Sequence, residues 1–355
     1  MSEFLCGVIE GFYGREWPWP QRRTMIEFLQ REQFNTYVYA PKSDRYLRRA
    51  WRELHDAETF SQLMQLRVHC RAHAIQFGIG FSPWGLQAEY SAADRAALRN
   101  KLTHLNTLDA DIFCILFDDM PGAIVDLAQR QLAIIDDVLA WSNARRFIVC
   151  PTYYSFDPVL EKVFGAMPMN YLETLGAQLP KNIDLFWTGS QVVAPGFTKA
   201  DIDAIAPKIQ RKPLLWDNYP VNDGAKISRF LHLLPPQQRP WQIRDWCSGH
   251  LANPMNQPLL SQLPLAALAR NYREREQFDA DNFWRSQLEQ LIEPTLAQLL
   301  RRDAERFQQA GLDRIDADER QRLLADYRQM ADPAALEVIE WLLEQYRFDP
   351  ACLTD

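Results

Sequence analysis

The hydrophobic and polar positions of the chain form eight short apolar segments, rich in β-branched and aromatic residues, separated by stretches with mostly helical periodicity. Strand and helix alternating eight times is typical of a (β/α)8 barrel, a closed parallel sheet surrounded by helices. The predicted strands are residues 5–12, 35–40, 76–81, 112–117, 146–150, 183–187, 213–216 and 245–251. The predicted helices are residues 22–30, 57–74, 92–108, 122–141, 199–209 and 228–234.

From about residue 275 the pattern changes to amphipathic, charge-rich stretches with helical periodicity at residues 283–308, 317–331 and 333–346. We therefore predict two domains, a barrel over residues 1–274 and a small all-helical C-terminal region over residues 275–355. Helices of this kind could also carry a homo-oligomer contact.

A doubly wound parallel sheet is the alternative fold for alternating strands and helices. Its usual nucleotide-binding signature, G-x-G-x-x-G after the first strand, does not occur in this sequence. The barrel is therefore the preferred prediction.

Two adjacent carboxylates, Asp118 and Asp119, follow the continuous apolar run of residues 112–117. Such a run is typical of a parallel strand buried on both faces, and barrels carry catalytic groups at the C-terminal ends of their strands. Neighbouring strand residues point to opposite faces, so the chain must twist or bulge for both carboxylates to share a pocket. One group would then be ionised and the other protonated near neutrality, as acid–base chemistry requires. The alternative is that Asp119 caps a helix beginning near Pro121.

Polar residues also follow almost every other predicted strand, where a barrel enzyme places its substrate contacts. Any single one of them is better explained as a turn, but their occurrence at so many strand ends favours a binding site. The residues concerned include Glu10 to Arg15, Lys42, Arg48, Tyr153, Tyr154, Thr188, Trp216 to Asp223, Asn253 and Asn256.

The composition, 47% hydrophobic and 24% charged, is that of an ordinary globular protein. The net charge of -7 argues against a nucleic-acid partner, which usually requires a basic surface. The N-terminus shows no secretory signal, and no apolar run is long enough for a membrane span, so we expect a cytoplasmic protein without a membrane partner.

Cysteines and histidines give no indication of a metal or other cofactor. The six cysteines are scattered without a C-x-x-C pair, as expected of thiols in a reducing compartment. His69 and His73 share a predicted helix, where a solvated or packed role is more common than metal binding. We therefore predict neither a metal site nor a cofactor.

Taken together, the strand-end motifs resemble glycoside hydrolase family 84, the β-N-acetylglucosaminidases that include O-GlcNAcase and bacterial enzymes once called hyaluronidases. The resemblance covers about residues 5–270, and the combination of motifs is highly specific. The matching motifs, in family order, are GVIEGFYGR, NTYVYAPKSDRYLRRAWRE, FDDM, CPTYY, WTG, WDNYPVND and LANPMNQ.

The resemblance implies a TIM-barrel enzyme that removes terminal β-linked GlcNAc from a glycan, glycopeptide or glycoprotein with retention, assisted by the acetamido group of the substrate. It implies that Asp118 polarises the acetamido N–H and that Asp119 is the general acid and base. Trp216 is expected to form a pocket wall around the acetamido methyl. The other predicted substrate-binding residues are Gly11, Phe12, Tyr13, Lys42, Tyr154, Asn218, Asp223 and Asn253.

Asp223 is expected to accept hydrogen bonds from the 4- and 6-hydroxyls of the sugar and so to enforce exo action. The alternative is that it caps a helix over residues 224–229. Glu16, Ser43 and Trp84 depart from the family pattern, but they lie beside the motifs and affect loop shape rather than the expected contacts.

Two other functions use the same sequence features. The barrel could bind glycans without catalysis, although both aspartates are retained, or the chain could act as an interaction protein through its C-terminal helices. Turnover of a chromogenic N-acetylglucosaminide separates the first from an enzyme, and light scattering tests self-association.

Overall fold

In the computed structural model, which describes residues 3–354, eight parallel strands close into a barrel in sequence order. The last strand pairs with the first, so the sheet has no free edge. This confirms the predicted (β/α)8 barrel. The strands are β1 Leu5–Glu10, β2 Thr36–Tyr39, β3 Gln76–Phe81, β4 Ile112–Leu116, β5 Arg146–Cys150, β6 Asp184–Trp187, β7 Leu214–Asp217 and β8 Gly249–Ala252.

Helices surround the barrel and cover the outer faces of the strands, which explains why the strand segments are apolar without alternation. Several helices begin at a side-chain cap; Asp56, Ser91 and Thr198 each accept a hydrogen bond from the backbone N–H three residues later. The helices of this part are α1 Trp19–Arg31, α2 Ala57–Ala72, α3 Ala92–Asn106, α4 Leu127–Trp141, α5 Pro158–Phe164, α6 Tyr171–Gln178, α7 Lys199–Ile209, α8 Ile243–Trp246 and α9 Pro258–Glu274, with a 3-10 turn at Ile227–Arg229.

The predicted strand at residues 245–251 is wrong in its first half. Residues Ile243–Trp246 form the short helix α8, and β8 begins only at Gly249. Gly249 is where pairing with both β1 and β7 starts, and strand pairing rather than local apolarity therefore sets the beginning of β8.

The predicted helix at residues 228–234 is also wrong, because only Ile227–Arg229 form a helical turn. The backbone N–H groups of Leu231 and Leu234 instead donate to the Phe307 carbonyl (3.3 Å) and the Gln308 side chain (2.9 Å). The C-terminal region therefore takes the hydrogen bonds that a local helix would have used.

The helices α5, α6 and α9 were not predicted, and α4 begins five residues later than expected. Helix α9 has Pro258 at its first position and Pro264 inside it, which weakens its sequence signal although the helix is almost entirely buried. Tertiary burial thus decides this segment over local propensity.

The C-terminal region is helical, as predicted. Its helices share a buried apolar cluster with barrel residues, among them Leu231, Met255, Leu260 and Leu263. The division at residue 274 stays a prediction. The helices are α10 Ala280–Asn282, α11 Pro294–Glu305, α12 Ala317–Tyr327 and α13 Pro333–Leu342, with π-helical turns at Phe283–Gln287 and Arg306–Ala310 and 3-10 turns at Arg275–Gln277, Leu288–Gln290 and Leu312–Arg314. Among residues 3–354, no helix has the length and apolarity that a membrane span requires.

Glu337 of α13 connects this region to the barrel. Its buried carboxylate accepts hydrogen bonds from the backbone N–H groups of Leu259 (3.0 Å) and Leu260 (2.9 Å), the first turn of α9. A residue distant in sequence thus satisfies donors that a local cap would normally serve. Burial raises the pKa of Glu337 to about 8.

We expect the substitution Glu337→Gln to flatten the pH dependence of stability. Because the folded-state pKa is raised, the contribution of Glu337 is present at acidic pH and is lost as pH rises toward about 8. The loss is about 1.4 kcal/mol per pH unit between the two pKa values. Melting temperatures at pH 5.5 and 8.5 should therefore differ less in the variant than in the wild type. Equal pH slopes in the two proteins would contradict the expectation.

Candidate active site

A pocket opens at the C-terminal ends of the strands and brings together all predicted site residues except Phe12. The ring of Phe12 is instead buried in the core, 5.4 Å from the Trp17 ring, because alternate side chains of its segment point away from the pocket. The predicted residues that line the pocket are Gly11, Tyr13, Lys42, Asp118, Asp119, Tyr154, Trp216, Asn218, Asp223 and Asn253.

Asp118 and Asp119 share the pocket because the chain turns sharply after β4. Asp119 has φ +56°, in the left-handed region that aspartate tolerates better than most residues. In an extended strand the two neighbouring side chains would point to opposite faces, and this turn allows both carboxylates to point into the pocket. Helix α4 begins only at Leu127, so the capping alternative for Asp119 is wrong.

Asp118 and Lys42 form a buried ion pair through Asp118 Oδ2 and Lys42 Nζ. The second oxygen, Oδ1, is buried and has no hydrogen-bond partner among the described residues. A buried carboxylate oxygen without a donor is costly, and its natural complement is a donor on a ligand.

Two tyrosines hold Asp119, one on each oxygen. The Tyr13 hydroxyl donates to Oδ2 (2.7 Å) and the Tyr154 hydroxyl donates to Oδ1 (2.8 Å). Burial, reinforced by the negative charge of Asp119, raises the pKa of both tyrosines well above 10. Both phenols therefore stay neutral donors, and Asp119 is the acceptor in this arrangement.

Asp223 accepts a hydrogen bond from the backbone N–H of Tyr13 (2.7 Å). Burial raises its pKa to about 7. The 3-10 turn at Ile227–Arg229 has no side-chain cap, so the helix-cap alternative for Asp223 is wrong. Tyr13 therefore joins Asp223, through its backbone, to Asp119, through its hydroxyl.

Trp216 forms one wall of the pocket against Gly11. A Cβ added at Gly11 would lie 2.3 Å from the indole ring, so only glycine allows this approach. The Trp216 N–H donates to the Asn218 side chain (3.0 Å), which also accepts from Asn253 (3.0 Å). The side-chain oxygen of Asn253 in turn accepts from the backbone N–H of Gly11 (3.2 Å). The four residues thus hold one another in a fixed wall.

The structure adds lining residues that are not among the predicted catalytic and substrate-binding residues. Thr354 lines the same pocket as Tyr154, although it lies far away in sequence. Thr188 and Val221 lie in motifs already noted at strand ends, whereas nothing in the sequence pattern indicates the C-terminal contacts. The additional lining residues are Cys150, Thr188, Val192, Val193, Val221, Ile227, Cys352 and Thr354.

No histidine is among the described residues of the pocket. His69 lies in the last turn of α2 and His73 directly follows that helix. Glu27 of α1 lies beside them, and one potential ligand atom from each of the three residues lies within 4.8 Å of the others. The sequence could not pair Glu27 with these histidines because it belongs to another helix. The titratable side chains among the described lining residues are carboxyl, phenol, thiol and ammonium groups.

Comparison with known proteins identifies the family. A family model described as beta-N-acetylglucosaminidase matches residues 6–305, most of the chain. The chain belongs to the β-N-acetylglucosaminidase family. This confirms the resemblance to glycoside hydrolase family 84.

The chain is similar to the protein O-GlcNAcases of Rattus norvegicus and Mus musculus, and it is 33% identical to each of them over 261 residues. The match covers 71% of this chain but only 28% of each relative, so the chain spans little more than a quarter of their length. Among solved structures, a mutant O-GlcNAc hydrolase of Thermobaculum terrenum is similar, with a TM-score of 0.77 and 28% identity over 96% of this chain and 81% of that one.

Proposed function

We propose that this protein is a retaining exo-β-N-acetylglucosaminidase that hydrolyses terminal β-linked GlcNAc, with the substrate's own acetamido oxygen as the nucleophile. The observation that carries the proposal is the unpartnered, buried Oδ1 of Asp118. It offers one acceptor in a pocket walled by Trp216 and Tyr154, which suits the N–H of an acetamido group.

In the first step the acetamido oxygen attacks the anomeric carbon while the glycosidic oxygen leaves. Asp118 accepts a hydrogen bond from the acetamido N–H and stabilises the positive charge that develops on the forming oxazoline. The Lys42 ammonium holds Asp118 in place through its other oxygen. The protonated Asp119 gives its proton to the leaving oxygen, which must otherwise depart as an anion.

In the second step a water molecule opens the oxazoline from the face that the leaving group vacated. Asp119, now ionised, takes the proton of this water, and two inversions give net retention. A retaining enzyme with its own nucleophile needs a second carboxylate across the sugar from the acid. Asp118 is instead directly adjacent to Asp119 and paired with Lys42. This arrangement fits a substrate-assisted mechanism better than a mechanism in which Asp118 is the nucleophile.

Turnover tests the proposal. The purified protein should release the aryl group from an aryl β-N-acetylglucosaminide, and proton NMR should show the β-anomer of GlcNAc as first product. First appearance of the α-anomer would exclude retention. Tight GlcNAc binding without any release would instead support a glycan-binding barrel. Rates on a GlcNAc-bearing peptide and on a GlcNAc disaccharide then identify the preferred substrate class.

Asp223→Asn is expected to lower kcat/KM strongly without a comparable loss of stability. Asparagine keeps an oxygen for the Tyr13 N–H but loses the negative charge that accepts the sugar hydroxyls. The expected cost is about 2–4 kcal/mol in kcat/KM. In the wild type, KM should rise as pH falls below about 7, because the protonated form of Asp223 is a poorer acceptor. A large drop in melting temperature with near-normal turnover would make Asp223 a structural residue.

A further inference from the structure

Arg48 is connected to Asp119, the proposed general acid, through the hydroxyl of Tyr13. The buried guanidinium donates from Nη2 to the Tyr13 hydroxyl (2.9 Å), and that hydroxyl donates to Asp119 Oδ2 (2.7 Å). A phenol has one hydrogen to donate and can accept in return, so both bonds exist at once and point in one direction. The guanidinium is thus one hydroxyl away from the carboxylate.

Within the described part of the chain, the charge of Arg48 has no direct acidic partner. Among residues 3–354, no carboxylate forms an ion pair with it, and its Nε has no hydrogen-bond acceptor. Buried arginines are normally paired, since an uncompensated charge in the interior is costly. The Tyr13 hydroxyl, to which Arg48 donates, links this buried charge to the carboxyl group of Asp119.

Trp84 also contacts the guanidinium. The centre of the Arg48 guanidinium lies 4.7 Å from the Trp84 ring centroid and 5.3 Å from the Tyr13 ring centroid, so the arginine makes cation–π contacts with two aromatic rings. The backbone of Trp84 is itself tied down, because the buried Trp51 donates from its indole N–H to the Trp84 carbonyl (3.3 Å). This gives a role to Trp84, one of the residues that depart from the family pattern.

We propose that Arg48, clamped by Trp84, is a positioning residue that orients and polarises the Tyr13 hydroxyl toward Asp119. Oδ2 is thereby reserved for Tyr13, and Oδ1 becomes the oxygen that carries the catalytic proton once Tyr154 turns to the substrate. The positive charge also stabilises the carboxylate that remains after proton transfer. The inference rests on the proposed function and adds two residues to it.

The test compares Arg48→Gln with Arg49→Gln. Arg49 stacks on the same indole ring (5.0 Å) but is exposed and has no hydrogen bond to Tyr13 within the described chain. Arg48→Gln should lower kcat for a poor leaving group by about 10²-fold, within the range that general acid catalysis supplies. The loss for an activated aryl leaving group should be much smaller. Arg49→Gln should stay within about twofold of the wild type on both substrates, a difference of less than 1 kcal/mol.

A double substitution asks whether Arg48 acts through Tyr13. In a Tyr13→Phe background, Arg48→Gln should have little further effect, because the hydroxyl that transmits it is gone. Trp84→Phe should retain most activity and Trp84→Ala should resemble Arg48→Gln. Multiplicative losses in the double variant, or equal losses for both leaving groups, would overturn the relay and leave Arg48 a packing residue.

A readout without turnover separates this inference from the proposed function. The carboxyl carbon-13 resonance of Asp119 is assigned by its disappearance in Asp119→Asn. Its titration curve should differ from that of the wild type in Arg48→Gln and match that of the wild type in Arg49→Gln. If the protein hydrolyses no β-GlcNAc but this shift is present, the relay stands and the proposed function fails. If hydrolysis is normal and the titration is unaffected, the relay fails alone. Besides Arg48, the titratable or charged groups near Asp119 among the described residues include Asp118, Lys42, Tyr13, Tyr154, Cys150 and Asp223.

Discussion

Asp119→Asn is expected to slow hydrolysis of substrates with poor leaving groups by about 10²–10⁴-fold, the usual contribution of a general acid. An activated aryl leaving group departs as a stable phenolate and should lose far less in the first step. Asparagine fills the same space and keeps a carbonyl oxygen for one of the two tyrosine hydroxyls, so the pocket should persist. The measurement is kcat/KM across a series of aryl N-acetylglucosaminides of rising phenol pKa.

The control for this series is Asp126→Asn. Asp126 lies in the same loop before α4 but is half exposed and paired with Arg130 (2.7 Å), outside the pocket. It should leave the dependence on the leaving group unchanged. If Asp119→Asn reduces all substrates by one common factor, the proton donor is a different residue.

The barrel could be predicted from the sequence because each strand is buried on both faces. A strand such as β4, all five residues of which are buried, must be apolar throughout, and this signal is local. The segments whose secondary structure is predicted wrongly depend on contacts with residues distant in sequence. Residues 230–234 read as helix, but their backbone groups bind the C-terminal region, and no local pattern reports such contacts.

The same distinction explains what could be predicted of the site. The strand-end motifs and the family resemblance together brought Asp118, Tyr154 and Asp223 into one pocket, since parallel strands end on one face. They could not show that Tyr13 connects two carboxylates, or that Thr354 reaches the pocket. These contacts join residues that lie more than one hundred positions apart in sequence.

The left-handed conformation of Asp119 is an intermediate case. Adjacent strand residues cannot share a face, so the sequence required a departure from the strand at this point without specifying which one. The structure supplies it in a single residue with φ +56°. Aspartate occupies this region at low cost, and the residue type therefore suits both the turn and the chemistry.

Asp118→Asn should damage every substrate alike, by about 10²–10³-fold in kcat, the cost of removing one group that stabilises transition-state charge. Oxazoline formation needs this carboxylate whatever the leaving group, so the loss should not depend on phenol pKa. Asparagine can still accept from Lys42, which limits the penalty of leaving a buried ammonium unpaired. Melting temperature measured on the same preparation shows whether folding is affected.

Fluorine on the acetyl group of the substrate tests independently whether the acetamido oxygen is the nucleophile. Each fluorine makes the acetamido oxygen a weaker nucleophile, so wild-type kcat/KM should fall steadily from acetyl to trifluoroacetyl. A thiazoline that imitates the oxazoline should bind the wild type at least about 10²-fold more tightly than GlcNAc, as expected of a transition-state mimic. Asp118→Asn should lose most of that advantage, because Oδ1 of Asp118 is the buried carboxylate oxygen available to bind the ring nitrogen in its protonated form. A wild-type rate that is indifferent to fluorination would mean that the acetamide is not the nucleophile. Asp118 would then need another role beside Lys42.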